Sequence, residues 1–208
     1  MKLPKLLKEI GEIADRENIK IFVVGGLVRD LLLGVKDLDI DIVVEANAIN
    51  FAKVLSDKFV THEGFKTATI EKGGFKIDLA TARKEYYKKP AALPQITPAT
   101  IREDLFRRDF TINAMAISLN KDNFKELVDF YNGQKDLKDK KIRVLHDKSF
   151  IDDPTRIFRA IRFQKRLEFE IEPHTQKLMA DAINLGMIEK LKAQRIKKEM
   201  DLFLKEKI

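Results

Sequence analysis

Apolar positions along the chain follow two regimes. Up to about residue 140, short β-branched runs alternate with stretches at helical spacing, which predicts an α/β arrangement. Leu6 to Ala14 has apolar residues at helical spacing, Ile19 to Val24 reads as a buried strand ending at Gly25-Gly26, and Leu27 to Leu33 reads as a short helix stopped by Gly34. Leu38 to Val44 predicts a second strand and Ala48 to Phe59 a second amphipathic helix. Lys66 to Glu71 and Phe75 to Ala80 predict a hairpin joined through Lys72-Gly73-Gly74. Residues 84–99 hold three of the six prolines, Tyr86, Tyr87 and several lysines, and read as a mobile loop. From Phe150 onward strand signals vanish: Asp153 to Arg166, Pro173 to Asn184 and Ala193 to Lys205 read as helices, with Gly186 between the last two. A helical unit of about 60–70 residues is too small to be counted on to fold without packing against the first part.

A length of 208 residues allows one domain or two small ones. Hydrophobic residues make up 44%, enough to bury a core, and the net charge of +7 favours a polyanionic partner, nucleic acid first. With no cysteine, a disulfide framework, a thiolate nucleophile and a Cys-based zinc site are excluded. His62, His146 and His174 lie far apart and show no ligand spacing. No apolar run approaches the roughly 20 residues of a membrane span, and the Lys-rich start has no apolar stretch of a signal peptide, so a soluble cytoplasmic protein is expected.

The chemistry centres on carboxylates. Asp39-Ile40-Asp41 falls in the second predicted strand, where a side-chain period of two sends both acids to one face and Ile40 and Ile42 to the other. Two like charges side by side repel unless a cation lies between them, and hard oxygen donors suit Mg²⁺. Asp78, between Ile77 and Leu79, is a third acid that converges with the pair if the two strands are neighbours. Polar faces of half-exposed strands show the same pattern, and Asp37 offers an overlapping pair with Asp39; the later pair lies deeper in the apolar run.

Gly25-Gly26 stands between a strand and a helix, a junction that directs backbone N–H groups at phosphate, and Arg29 one turn later offers a fork of donors to a triphosphate. Neither the dinucleotide pattern nor the Lys-Ser/Thr of a P-loop is present. In Arg107-Arg108-Asp109-Phe110-Thr111-Ile112-Asn113, Arg108 is a candidate contact to phosphate or sugar, or the segment is a helix end with Asp109 as cap. Pro154 in Asp152-Asp153-Pro154-Thr155-Arg156 marks a helix start, placing Asp153, Arg156 and Arg159 at i, i+3 spacing with Arg162 one step round. A carboxylate beside a guanidinium can read a base edge: the acid accepts from the exocyclic amino group of adenine or cytosine and is rejected by the carbonyl of guanine or uracil. An N-cap acid in a solvated ion pair fits the same spacing.

The order of these segments, Gly-Gly-x-x-Arg-Asp, then Asp-x-Asp, then Arg-Arg-Asp-Phe-Thr-Ile-Asn-Ala-Met-Ala, then Asp-Asp-Pro-x-Arg, resembles the class II tRNA nucleotidyltransferases (CCA-adding, CC-adding and A-adding enzymes) and the related bacterial poly(A) polymerases. The resemblance implies an α/β (α+β) DNA polymerase beta-like nucleotidyltransferase head over residues 1–138, followed by an all-α helical neck over residues 139–208, without the body and tail domains of that family. It implies Asp39 and Asp41 as catalytic metal ligands for Mg²⁺, with Asp78 in the place of a third carboxylate, and Gly25, Gly26 and Arg29 as a phosphate-binding turn. Arg108, Asp153, Arg156, Arg159 and Arg162 inherit nucleotide contacts, with Asp153 and Arg156 as the protein template for the base; Asp152 stands where the family usually has Glu. Asp129 to Gly133 resembles the head–neck connecting motif, and Gln194-Arg195-Ile196 with Glu199 the last, structural neck motif. The implied activity is template-independent addition of C, A or both from CTP and ATP to the 3′ end of tRNA. Poly(A) synthesis and a catalytically silent RNA- or nucleotide-binding subunit are the alternatives. RNA grip is then expected from the basic charge, the loop at 84–99, and a partner chain or oligomer.

Overall fold

The β-branched runs of the first part of the chain become strands of one sheet. A computed structural model describes residues 3–35 and 39–206. It opens with α1 (Leu3–Arg16), β1 (Ile21–Val24), α2 (Gly26–Leu32), β2 (Ile40–Val44) and α3 (Ala48–Leu55). There follow β3 (Phe59–His62), β4 (Thr67–Lys72), β5 (Phe75–Thr81), β6 (Arg83–Tyr86), β7 (Gln95–Pro98) and α4 (Ile101–Phe106). Then come β8 (Ala116–Ser118), β9 (Leu127–Val128), α5 (Gly133–Lys138), β10 (Lys141–Ile142) and α6 (Ser149–Asp152). The chain closes with α7 (Thr155–Leu167), β11 (Glu170–Ile171), α8 (Pro173–Asn184) and α9 (Ala193–Lys205). The fold is therefore mixed α/β followed by helices, as expected.

Contacts divide the chain into two compact units. The first takes the residues up to Lys84, Ile96–Arg107 and Asn113–Tyr131; the second takes Glu85–Gln95, Arg108–Ile112 and everything from Asn132. The expected division between 138 and 139 lies beyond this one: α5 belongs to the second unit, and two short earlier segments join it as well.

The first unit is built on a seven-stranded sheet of order β3-β4-β5-β2-β1-β8-β9. β2 runs parallel to β5, while β1 pairs antiparallel with both β2 and β8. Ile21, Val23, Val24, Ile42, Val43 and Val44 are buried at its centre, where β-branched side chains fill a pleated surface well. Helix α1 buries Leu6, Ile10 and Ala14, a one-faced stripe at helical spacing. Gly11 lets that helix approach the backbone closely, since a Cβ there would lie 2.0 Å from the Leu119 carbonyl oxygen.

Two sequence expectations change here. The helix predicted to Phe59 ends at Leu55, because Ser56 is extended (φ −158°, ψ 142°) and the β-branched pair Val60-Thr61 joins β4 instead. The segment 84–99 is not structureless: β6 and β7 pair as a two-stranded sheet at its two ends. Lys36, Asp37 and Leu38, which the second predicted strand and the overlapping acid pair include, lie outside the described residues.

The second unit packs helices around Phe110, Phe150, Ile157, Ala160 and Phe163, with Phe110 and Phe163 in edge-to-face contact at 5.9 Å between ring centroids. Helices α8 and α9 have the predicted bounds. Glu172 caps α8 by accepting from Thr175 N at 2.9 Å, with Pro173 in its first turn. Strand pairing does persist after Phe150, in the two-residue β11 that runs parallel to β10. No helix among the described residues is long and apolar enough to cross a membrane.

Candidate active site

In the first unit, β2 places the acids as the alternation requires. Asp39 and Asp41 are exposed, whereas Ile40 and Ile42 are 4% and 1% exposed. The parallel pairing sets Asp41 beside Asp78. Asp78 nonetheless engages the opposite neighbour: it accepts a hydrogen bond at 2.5 Å from the Thr69 hydroxyl on β4, the strand away from β2. Among the described residues no three His, Cys, Asp or Glu side chains gather closely enough to hold a metal ion. The three-acid convergence expected from neighbouring strands is thus corrected to an exposed Asp39–Asp41 pair with Asp78 adjacent. Two accessible carboxylates are a donor set that fits Mg²⁺, which takes one or two carboxylates and completes its shell with water and substrate phosphates.

The glycine junction follows from backbone geometry. Gly25 has φ 68° and ψ −128°, a conformation open to glycine and strained for other residues. Its N–H donates to Met115 O at 3.2 Å, and the first bond of α2 runs from Arg29 N to Gly25 O at 3.1 Å. The N–H groups of Gly26, Leu27 and Val28 precede that bond and lack an intrahelical acceptor.

Arg29 departs from expectation. It is 3% exposed: Nε and Nη2 donate to the two carboxylate oxygens of Asp30, each at 2.8 Å, and Nη1 donates to Asn113 Oδ1 at 2.6 Å. A buried guanidinium must find such partners. The fork expected on a triphosphate instead ties α2 to the segment before β8, making Arg29 a strut under the glycine turn.

In the second unit, Asp153 lies ahead of α7 in an extended conformation (φ −135°, ψ 92°), and Pro154 forms the N-cap. Helical spacing therefore does not govern Asp153, and its ion-pair partner is Arg195, at 2.8 Å. Arg156 is 5% exposed and donates from Nη1 to Ser149 Oγ at 2.7 Å. Arg159 donates from Nε and Nη2 to Asp109 Oδ2 at 2.8 and 2.5 Å, and that carboxylate holds the guanidinium above its usual range. Arg162 pairs with Glu206 at 2.6 Å and lies 3.7 Å from Glu199. These arginines thus join an ion-pair network rather than the solvated pair that the spacing also allowed. Arg108 is half-buried. Asp109 is no helix cap: its other oxygen accepts from Phe110 N at 2.8 Å.

Several neighbours escaped the sequence reading of the site. Burial, reinforced by the Arg156 charge, pulls His146 down to about 4, so the imidazole is neutral near neutral pH. Burial pushes Asp152 up against the opposing effect of Arg156. Burial also pushes up Tyr87, whose hydroxyl donates to Glu85 at 2.8 Å and which feels both Arg156 and Asp153. Asn113, Asp109, Arg195 and Glu199 lay inside motifs already singled out, whereas Ser149 had no sequence signal.

The whole described architecture is similar to solved CCA-adding enzymes. One in an apo form matches with a TM-score of 0.92 at 51% identity, covering 98% of this chain and 49% of that one. Another, in complex with ATP, matches with a TM-score of 0.88 at 47% identity, covering 99% of this chain and 47% of that one. The class that this fold defines is a poly A polymerase-type head followed by helices. Residues 21–143 match the family of the poly A polymerase head domain, and the chain belongs to that family. Among curated relatives, the A-adding tRNA nucleotidyltransferase of Geobacter sulfurreducens is 43% identical over 97% of this chain and 24% of its own length. That of Aquifex aeolicus is 47% identical over 90% of this chain and 23% of its own length. The chain thus spans about a quarter of these two relatives and about half of the solved structures.

Proposed function

We propose that this chain is the head and neck of a metal-dependent RNA nucleotidyltransferase that adds C, A or both from CTP and ATP to the 3′ end of tRNA. The observation that carries this reading is the pattern at the start of β2, where Asp41 and the preceding Asp39 are exposed and Ile40 and Ile42 are buried. Mg²⁺ held by Asp39 and Asp41 would lower the pKa of the RNA 3′-hydroxyl and stabilise the leaving pyrophosphate. The N–H groups of Gly26, Leu27 and Val28 meet phosphate oxygens, and Arg29 keeps that turn in shape through Asp30 and Asn113. Asp153 accepts from the exocyclic amino group of adenine or cytosine and Arg156 donates to the adjacent ring nitrogen. Guanine and uracil bring a carbonyl to the carboxylate and are disfavoured. Arg108, Arg159 and Arg162 add positive charge around the nucleotide, the last two pre-positioned by Asp109, Glu199 and Glu206. Work in the cytoplasm, on tRNA gripped with the help of further chain or a partner, belongs to the same proposal.

The test is one incubation of the chain with tRNA ending before, within or after its CC, each nucleotide supplied separately with Mg²⁺. Extension by CTP or ATP and not by GTP or UTP is expected. Long adenylate tails would assign the poly(A) alternative instead. Nucleotide binding with no extension of any acceptor would leave a silent binding subunit.

A further inference from the structure

Asp153 is held more firmly than a lone base-reading carboxylate needs to be. Its Oδ1 accepts from Thr155 N at 3.0 Å, from the Thr155 hydroxyl at 2.6 Å and from Arg195 Nη2 at 2.8 Å. A carboxylate oxygen offers about two lone-pair sites, so three donors saturate Oδ1 and leave Oδ2 to accept from a ligand. The two Thr155 donors are local and come with the start of α7. The third crosses 42 residues from the first turn of α9.

We propose that Arg195 is a positioning residue for base choice, clamping Asp153 Oδ1 so that Oδ2 is presented to the base in one orientation. Arg195 is itself fixed at its other end, where Nη1 donates to Ala91 O at 3.2 Å. Ala91 in turn donates from its N–H to Ile151 O at 3.3 Å, just ahead of the Asp152-Asp153 pair. The guanidinium therefore bridges the 85–95 segment and the carboxylate, and its planar fork sets the direction of both bonds. Side-chain exposures of 24% for Arg195 and 21% for Asp153 leave the pair accessible from solvent.

This inference rests on Asp153 reading the base, and the experiment separates the two. Dissociation constants of the Mg²⁺ complexes of ATP, CTP, GTP and UTP are measured for the full chain and for Arg195→Ala, Arg195→Lys and Asp153→Ala, with melting curves for each. Arg195→Ala is expected to reduce the preference for ATP and CTP over GTP and UTP by about five- to tenfold, the loss of one charge-assisted hydrogen bond. Arg195→Lys keeps charge and one donor, and should retain most of the preference. If the alanine variant loses cooperative melting, Arg195→Gln is read instead, with a loss of about threefold expected. Wild-type preference in folded Arg195→Ala or Arg195→Gln, while Asp153→Ala loses it, overturns the clamp and leaves the base-reading role intact. Wild-type preference in Asp153→Ala overturns the base-reading role itself.

Discussion

The acids of the first unit and the arginines of the second are chemically opposite, and they are also prepared in opposite ways. Asp41 in β2 and Asp39 just before it are exposed, on the face opposite the buried Ile40 and Ile42. Arg159 and Arg162 are set by groups far along the chain, Asp109 ahead of β8 and Glu199 and Glu206 in and after α9, while Arg156 is held by Ser149 seven residues earlier on α6. Metal-binding carboxylates gain from hydration and exchangeable ligands, whereas long cationic side chains must be held to act directionally. On the proposed function, the chain exposes the groups that would meet a hydrated ion and packs the groups that would surround the nucleotide.

Breaking each side of this contrast gives different signatures. Asp41→Ala should lower nucleotide incorporation by at least roughly a thousandfold, since metal-supplied stabilisation is worth several kcal/mol. An exposed strand position should leave melting nearly unchanged, within about 0.5 kcal/mol. Substantial incorporation by that variant, in an extension assay, would shift the chemistry elsewhere. Asp109→Ala should show the reverse balance: it strands the half-buried Arg159 guanidinium and costs about 2–3 kcal/mol in denaturant unfolding. An unchanged midpoint would mean that Glu199 alone suffices for Arg159. Asp78→Ala should be milder for catalysis, within roughly threefold, because its carboxylate is turned to the Thr69 hydroxyl and an exposed site tolerates change. A loss matching that of Asp41→Ala would make it a third ligand after all.

A further expected effect concerns pH. His146 binds its proton only near pH 4 when folded, against an ordinary value of 6.5, so the unfolded chain binds more protons between those limits. Stability should fall as pH drops from about 6.5 towards 4 and, as far as His146 is concerned, stay level above that window. His146→Gln should flatten the acid slope in melting curves; an unaltered slope would assign it to the carboxylates.

How much of this could be read beforehand follows the same contrast. β2, the β4–β5 hairpin, α8 and α9 were legible because period-two and period-3.6 patterns are local, and the exposed pair Asp39 and Asp41 came with them. Gly25 was legible as a turn because its positive φ restricts the residue type. The roles of the arginines were not. Arg29 meets Asn113 across 84 residues, Arg159 meets Asp109 across 50, and Asp153 meets Arg195 across 42. An Asp three residues before an Arg suggested a helical pair, yet the extended backbone at Asp153 removed it from the helix and gave it a remote partner. Likewise β3, which starts at the last residue of the predicted helix, was not legible, since pairing with β4 is a tertiary choice.

The most direct test of the central claim is to titrate Mn²⁺, in place of Mg²⁺, into the chain with bound ATP, following the ion by electron paramagnetic resonance. Wild type should bind more tightly than ATP alone can, and a variant carrying both Asp39→Ala and Asp41→Ala should fall back to the affinity of ATP alone. Identical titrations for the two proteins would contradict the account.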